Sequence, residues 1–179
     1  LNRAAGGDGV AVEIADGVEL DAPVHLVHVA AHRGDAPAAS HPSTVVRLGA
    51  ASRAQVVETY VGAGASGLTN AATVIAVGEG ASVGYHRVQD ECADAVHVGH
   101  VVFHAARAAR VHLTSFPLGA AIARVAFDVA LLGDAAEVEL DGLSLPARGH
   151  HHDQVVRIDH ASSHGRSAGG GRRPCPEAP

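Results

Sequence analysis

The chain has 179 residues, of which 47% are hydrophobic, 18% charged and only 3% aromatic, and its formal charge is −6. The length and the hydrophobic content suit one globular domain with a sizeable core. The negative charge and the scarcity of aromatic side chains argue against a nucleic-acid binder, and no apolar run is long enough to predict a membrane-spanning helix. Two cysteines exclude a disulfide framework and a four-cysteine metal motif, and with no secretory signal visible they indicate a reducing cytoplasm.

Short apolar segments alternate with tight turns along the chain. Val45, Val46 and Leu48 precede one such turn, and Val56 and Val57 follow it. β-branched residues are dense, and no segment keeps a long apolar stripe of helical period, so the sequence predicts an all-β protein. In chain order the predicted turns are Asp16-Gly17, Gly49-Ala50-Ala51-Ser52, Gly78-Glu79-Gly80-Ala81, His104-Ala105-Ala106-Arg107, Gly133-Asp134-Ala135-Ala136 and Asp159-His160.

These turns recur at a nearly constant interval, since the four central ones begin at positions 49, 78, 104 and 133. One tight turn in every period of this length is typical of a β-solenoid, in which short strands stack about 4.8 Å apart. We therefore predict a parallel β-helix of roughly four to six rungs. An antiparallel sandwich also uses short strands and Gly turns, but it does not require such even spacing.

The segment Gly62-Ala63-Gly64-Ala65-Ser66-Gly67 matches the letters of the dinucleotide-binding fingerprint. That fingerprint requires a helix N-terminus after the glycines, where the pyrophosphate binds. Here the next apolar segment, Val74-Ile75-Ala76-Val77, has the pattern of another strand. We interpret the glycines as a loop between rungs.

Fourteen histidines are the unusual feature of the composition. His97, His100 and His104 would share one face of a helix and could ligate zinc at that spacing. On a strand, however, His97 faces away from the other two, because successive side chains alternate between the two faces. We interpret these three as structural or surface histidines.

Two segments near the C-terminus, residues 150–153 and 159–164, are denser in His and Asp. Imidazole and carboxylate groups this close in sequence could bind iron or zinc, as in a zinc or iron hydrolase or oxygenase. Alternatively, each segment is a turn whose side chains hydrogen-bond to its own backbone. The candidate metal ligands are His151, Asp153, Asp159, His160 and His164.

A series of sequence blocks, read in order, forms a recognisable pattern. The blocks are Pro23-Val24-His25-Leu26, Ser40-His41-Pro42, Val56-Val57-Glu58, Tyr60-Val61-Gly62, Val77-Gly78-Glu79-Gly80-Ala81, the stretch from Gly133 to Leu145, and Arg157-Ile158-Asp159-His160. In this order and spacing they resemble the SufB/SufD family, the scaffold subunits of SUF iron–sulfur cluster assembly. The match runs from about residue 1 to residue 167 and is closer to the SufD type.

The resemblance implies a right-handed parallel β-helix, in agreement with the turn spacing, and a non-catalytic scaffold rather than an enzyme. In the family, a SufD-type subunit pairs with a SufB-type subunit, and both are bound by SufC, an ABC-type ATPase. We expect this chain itself to bind no cofactor, and the resemblance implies an iron–sulfur cluster carried transiently by the parent complex.

The family pattern ends after Ser167. Residues 168–179 are rich in Gly, Arg and Pro without an apolar period, so we expect a β-helix core over residues 1–167 and a disordered tail beyond it. The family's terminal regions, which include the ATPase-binding segment and the interface residues associated with cluster assembly, have no counterpart in this sequence. A fragment or a frameshifted reading frame would explain the tail, and sequencing the parent locus tests that hypothesis.

Overall fold

The computed structural model describes residues 9–31, 38–63, 67–162 and 165–172. Those residues form strands and no helix, so none of them belongs to a helix that could cross a membrane. In chain order the strands are β1 (Gly9–Ile14), β2 (Val24–Ala31), β3 (Ala38–Ser40), β4 (Ser43–Leu48), β5 (Arg53–Ala63), β6 (Gly67–Val77), β7 (Ser82–Asp90), β8 (Val96–Ala105), β9 (Arg110–Pro117), β10 (Ile122–Leu131), β11 (Glu137–Leu143), β12 (His151–His160) and β13 (Arg166–Arg172).

The strands form two parallel sheets. One sheet has the order β1-β4-β6-β8-β10-β12, with the short β3 also paired to β6, and the other has the order β2-β5-β7-β9-β11-β13. Ile122 pairs with Val96 of the preceding coil and with His151 of the following coil. The chain thus alternates between the sheets. One strand of the first sheet and the following strand of the second sheet make up one coil, and the coils stack as a solenoid of about five turns. The predicted parallel β-helix is confirmed, and the antiparallel sandwich is wrong.

The first five passages from the first sheet to the second are four-residue corners, at residues 15–18, 49–52, 78–81, 106–109 and 133–136. In every corner the amide of the fourth residue donates to the carbonyl of the first, at 3.1–3.4 Å. The third residue has a positive φ, as in a type II turn. These third residues are Gly17 (69°), Ala51 (55°), Gly80 (65°), Ala108 (54°) and Ala135 (58°).

Two of the predicted turns are wrong. Asp159 and His160 are the last residues of β12 and form no turn. The fourth corner is displaced along the chain. It comprises residues 106–109 instead of 104–107, because β8 continues through Ala105. His104 therefore lies within the strand and is exposed, while Phe103 and Ala105 on either side of it are buried. With this correction the later corners start at positions 49, 78, 106 and 133, which is a more even spacing than predicted.

Backbone hydrogen bonds join successive corners, just as they join successive strands. The amide of the left-handed residue in one corner donates to the carbonyl of the second residue in the next corner. Ala51 donates to Glu79 at 2.8 Å, and Gly80 donates to Arg107 at 2.9 Å. The ladder of backbone bonds is therefore continuous around this edge of the solenoid.

The core near these corners is apolar. Val46, Ile75, Phe103 and Val129 occupy equivalent inward positions on successive strands of the first sheet, and each is at most 2% exposed. β-branched and aromatic side chains stacked in this way fill the narrow space between the two sheets. Burial of this ladder holds the sheets together.

The last coil consists of β12 and β13. Ala168, Gly169 and Gly170 pair with Glu139, Leu140 and Asp141 of β11, so residues 168–172 belong to a strand. The expected boundary between core and tail at residue 168 therefore falls inside β13. Residues 173–179 of the expected tail lie outside the described residues.

Candidate functional site

In the second to fourth coils, the half of the interior farther from the corners is polar. Four charged or ionisable side chains, Glu58, Arg87, Glu91 and His97, are each at most 5% exposed there. They belong to β5, β7, the segment after β7, and β8, so three successive coils supply them. The group, called the polar cluster below, consists of His28, Thr44, Glu58, Tyr60, Thr69, Thr73, Tyr85, Arg87, Gln89, Glu91 and His97.

Glu58 accepts four hydrogen bonds from the part of the polar cluster nearest the first coil. Its Oε1 accepts hydrogen bonds from Thr44 Oγ1 at 2.7 Å and His28 Nε2 at 3.0 Å. Its Oε2 accepts from Thr73 Oγ1 at 2.9 Å and from the Tyr85 hydroxyl. Burial acts to raise the pKa of Glu58, but the hydrogen bonds from His28, Tyr85 and Thr44, together with the charge of Arg87, outweigh it and lower the pKa to about 2. Glu58 is therefore a buried carboxylate held in its charged form.

His97 bridges Arg87 and Glu91 inside the solenoid. Its Nε2 lies 2.5 Å from Nη2 of Arg87, and its Nδ1 lies 2.5 Å from Oε2 of Glu91. A guanidinium only donates, so Nε2 accepts and the single ring proton is on Nδ1, from which it is donated to Glu91. Burial lowers the pKa of His97, in keeping with a neutral ring. Both ring nitrogens are occupied, which leaves neither for a metal ion.

Glu91 is the second buried carboxylate of the polar cluster. Burial acts to raise the pKa of its carboxyl, but hydrogen bonds, of which that from His97 is the largest, lower it overall. Thr69 Oγ1 donates to Oε1 at 2.5 Å, and Gln89 Nε2 donates to Oε2 at 3.1 Å. Both carboxylates of the cluster are thus saturated with donors.

Aromatic rings connect the surroundings of Glu58 with those of Glu91. The guanidinium carbon of Arg87 lies 4.5 Å from the centroid of the Tyr60 ring, a cation–π contact. The Tyr60 ring stacks on His28 at 4.7 Å and meets His97 edge-on at 4.9 Å. The His28 side chain is 15% exposed, so the cluster reaches the surface in the first coil.

The polar cluster carries more negative than positive charge. Glu58 and Glu91 are anionic, and Arg87 is the one cation among the buried residues that the structure describes in the cluster, because His97 is neutral. Burial raises the pKa of Tyr60 and of Tyr85, so both phenols stay protonated. Most polar atoms of the cluster are hydrogen-bonded, as buried charges require, although among the described residues Nε of Arg87 and Oε1 of Gln89 have no hydrogen-bond partner. The arrangement can therefore fix one interior geometry, and it offers no free nucleophile.

The predicted metal ligands are not brought together. On β12, His151, Asp153 and Asp159 pair with Ile122, Arg124 and Ala130 of the outward-facing set of β10. His151 and Asp159 lie near opposite ends of one strand, a separation of about 26 Å. Asp153 Oδ2 instead forms an ion pair with Arg124 Nη1 at 3.2 Å.

The remaining two candidates are also separate from those three. His160 pairs with the buried Leu131 and so lies on the inward side of β12, but it is exposed in this last coil, and its Nε2 lies 3.3 Å from Ser167 Oγ. His164 lies outside the described residues. Across the part of the chain that the structure describes, no group of three or more His, Cys, Asp or Glu side chains could hold a metal ion.

The interpretation of His97, His100 and His104 is confirmed. His97 faces the interior, whereas His100 and His104 are exposed on the outer face of β8. His100 Nε2 lies 2.8 Å from Oδ2 of Asp128 on the neighbouring strand. After residues 62–67 a strand, β6, follows and not the helix that a dinucleotide site requires; Gly62 and Gly67 themselves belong to β5 and β6, and residues 64–66 of the expected loop lie outside the described residues.

Sequence reasoning missed the polar cluster. The available signal was the strand phase, since Glu58 lies two residues from the inward Val56 and Tyr60, and Arg87 two residues from Tyr85 and Gln89. A charged residue at an inward position of an alternating strand marks a buried ionic site.

A family model for the SufBD core domain of SUF system FeS cluster assembly matches residues 29–169, more than three quarters of the chain. The chain belongs to the SufBD family. A search of curated proteins found no match. Membership supports a role in SUF iron–sulfur cluster assembly, and the SufBD core contains every residue of the polar cluster except His28.

Proposed function

We propose that this chain is a SufD-type, non-catalytic scaffold of iron–sulfur cluster assembly, which pairs in the cytoplasm with a SufB-type subunit and a SufC-type ABC ATPase. The observation that carries the proposal is the SufBD core match over residues 29–169, which spans the stacked coils from the end of β2 to β13. The assignment to the SufD type is supported by the sequence blocks from Pro23 to His160.

The physical properties of the solenoid support a scaffold. Backbone hydrogen bonds run from coil to coil in both sheets and at the corners, so a force applied at one coil is passed directly to the next. Inside, the saturated carboxylates of Glu58 and Glu91 fix the packing of the second to fourth coils. A rigid platform is what a complex needs if an ATPase moves one subunit against another.

The alternative, a zinc or iron hydrolase or oxygenase, is not favoured by an observation on the described residues. Its proposed ligands Asp153 and His160 face opposite sides of β12. Elemental analysis of the purified chain tests it directly: one zinc or iron per chain, retained through gel filtration, would support the enzyme and contradict the scaffold.

Co-purification tests the scaffold. The tagged chain is co-expressed with a SufB-type subunit, and the expected result is a complex that contains both chains. The surface variant Glu139→Gln should behave as the wild type, whereas Gly133→Val, which places a side chain against the preceding corner, should lose the complex. Offering SufB-type and SufD-type partners separately tests the subtype, since a SufD-type chain should retain the SufB-type partner. Loss of binding to both would contradict the proposal.

A further inference from the structure

One series of hydrogen bonds in the polar cluster begins and ends on the same strand. Nη2 of Arg87 donates to Nε2 of His97, whose Nδ1 donates to Oε2 of Glu91. Nε2 of Gln89 donates to the same carboxylate oxygen. The series therefore starts at Arg87 and finishes at Gln89, which occupy successive inward positions of β7 with their Cα atoms roughly 7 Å apart.

The two ends of this series each carry a polar atom that is not hydrogen-bonded. Among the described residues, Nε of Arg87 and Oε1 of Gln89 have no partner. Ser115 supplies a third such atom, since its Oγ also has no partner among those residues and it pairs with Arg87 in the register of β7 and β9. All three side chains are at most 2% exposed. Native proteins satisfy nearly all buried polar groups, so three neighbouring exceptions mark a binding site.

The residues that stack on this series in the next coil leave room for a ligand. Gln89 pairs with Pro117 of β9, and His97 pairs with Ala123 of β10. A smaller residue thus follows each of these side chains at the same inward position, as Ser115 does after Arg87. Pro117 and Ala123 are buried, so the space beside the three polar atoms is enclosed. A buried water requires both enclosure and polar partners of this kind.

The three polar atoms determine the chemistry of the ligand. Nε of Arg87 can only donate, and Oε1 of Gln89 can only accept, because the amide nitrogen of Gln89 already donates to Glu91. The Ser115 hydroxyl can do either. A chloride ion only accepts and would meet the lone pairs of Gln89 Oε1, while a metal cation would meet the guanidinium. A neutral molecule that both donates and accepts satisfies all three atoms.

We propose that a single water molecule binds inside the solenoid between β7 and β9. It accepts from Nε of Arg87, donates to Oε1 of Gln89 and shares its third hydrogen bond with Oγ of Ser115, and three bonds are the usual number for a buried water. The water closes the series of hydrogen bonds into a ring. It also joins the polar cluster to the fourth coil through the second sheet, as His97 does through the first. This inference goes beyond the scaffold function and does not depend on it.

A high-resolution crystal structure of the wild-type chain tests the proposal directly. The expected result is one density peak within about 2.7–3.2 Å of Nε of Arg87, Oε1 of Gln89 and Oγ of Ser115. Crystals soaked in bromide should show no anomalous signal at that position. No peak, or an anomalous signal that identifies an anion, would overturn the proposal.

The sign of a stability change gives a second test, by urea unfolding followed by circular dichroism. Ser115→Ala removes one partner of the water, so it should raise the equilibrium constant of unfolding about fivefold, as expected for the loss of one hydrogen bond. If the hydroxyl had no ligand, the same change would remove a buried unpaired group and lower that constant, which would overturn the proposal. Ser82→Ala is the matched control, because Ser82 lies on the outer face of β7, and it should stay within about twofold of wild type.

Discussion

Replacing Glu58 by Gln removes a buried negative charge that four donors share. A Gln side chain offers one acceptor oxygen instead of two, so at least one pair of these donors loses its partner, and Arg87 loses a nearby compensating charge. Breaking one member of a buried, hydrogen-bonded charge set costs about 3–5 kcal/mol. We therefore expect Glu58→Gln to lower the free energy of unfolding at pH 7 by that amount.

The pKa of Glu58 gives an independent magnitude and a pH range. Its value falls from 4.5 to about 2 on folding, and at about 1.4 kcal/mol per unit this contributes about 3–4 kcal/mol. Since the folded pKa is the lower one, this stabilisation is complete above pH 4.5 and is lost as the pH falls toward 2. The advantage of wild type over Glu58→Gln should therefore shrink across that range.

Urea unfolding followed by circular dichroism, at pH values from 7 to 2, measures both effects. Glu139→Gln is the matched control, because Glu139 is exposed on the outer face of β11, and it should differ from wild type by less than about 0.5 kcal/mol. A Glu58→Gln variant within about 1 kcal/mol of wild type at pH 7 would refute the role of the carboxylate. A difference that stays constant down to pH 2 would refute the pKa argument.

Three further outcomes follow from the corners and the cluster. Ala108 has a φ of 54°, so Ala108→Gly should raise the free energy of unfolding by about 1 kcal/mol, whereas Ala50→Gly, at a negative φ, should lower it in the same urea assay. A Cβ on Gly133 would lie 2.2 Å from the backbone nitrogen of Arg107, so Gly133→Ala should cost about 2 kcal/mol or more, and an unchanged melting temperature would contradict this. Burial lowers the pKa of His97, so stability should fall as the pH drops below 6.5, and His97→Gln should weaken that dependence between pH 7 and 5.

The solenoid was predictable because its corners recur at a nearly constant interval. Glycine marks the first residue of the corners at Gly49, Gly78 and Gly133, where a Cβ would meet the backbone of the preceding corner. The corner at 106–109 lacks glycine altogether, and its left-handed position is Ala108. There the tertiary stacking overrides local preference, which is why sequence reasoning placed that corner two residues too early.

The polar cluster was harder to predict because its partners come from different coils and both sheets. Strand alternation places Glu58 and Arg87 inside, but the contact of Arg87 with His97 crosses from β7 to β8 through the interior. Conversely, the density of His and Asp near residue 150 suggested a site that the strand alternation divides between two faces. Closeness in sequence on a strand is not closeness in space.

The equal spacing of the corners has a consequence for how the gene can change. Excising residues 106–132 would join Ala105 directly to Gly133, one corner start to the next, and would leave each remaining strand with a neighbour in register. The coils that contribute to the polar cluster do not have this freedom, since removing one separates Glu58 from Tyr85 or His97 from Glu91. Relatives should therefore vary in length by whole coils, with the variation confined to the C-terminal half.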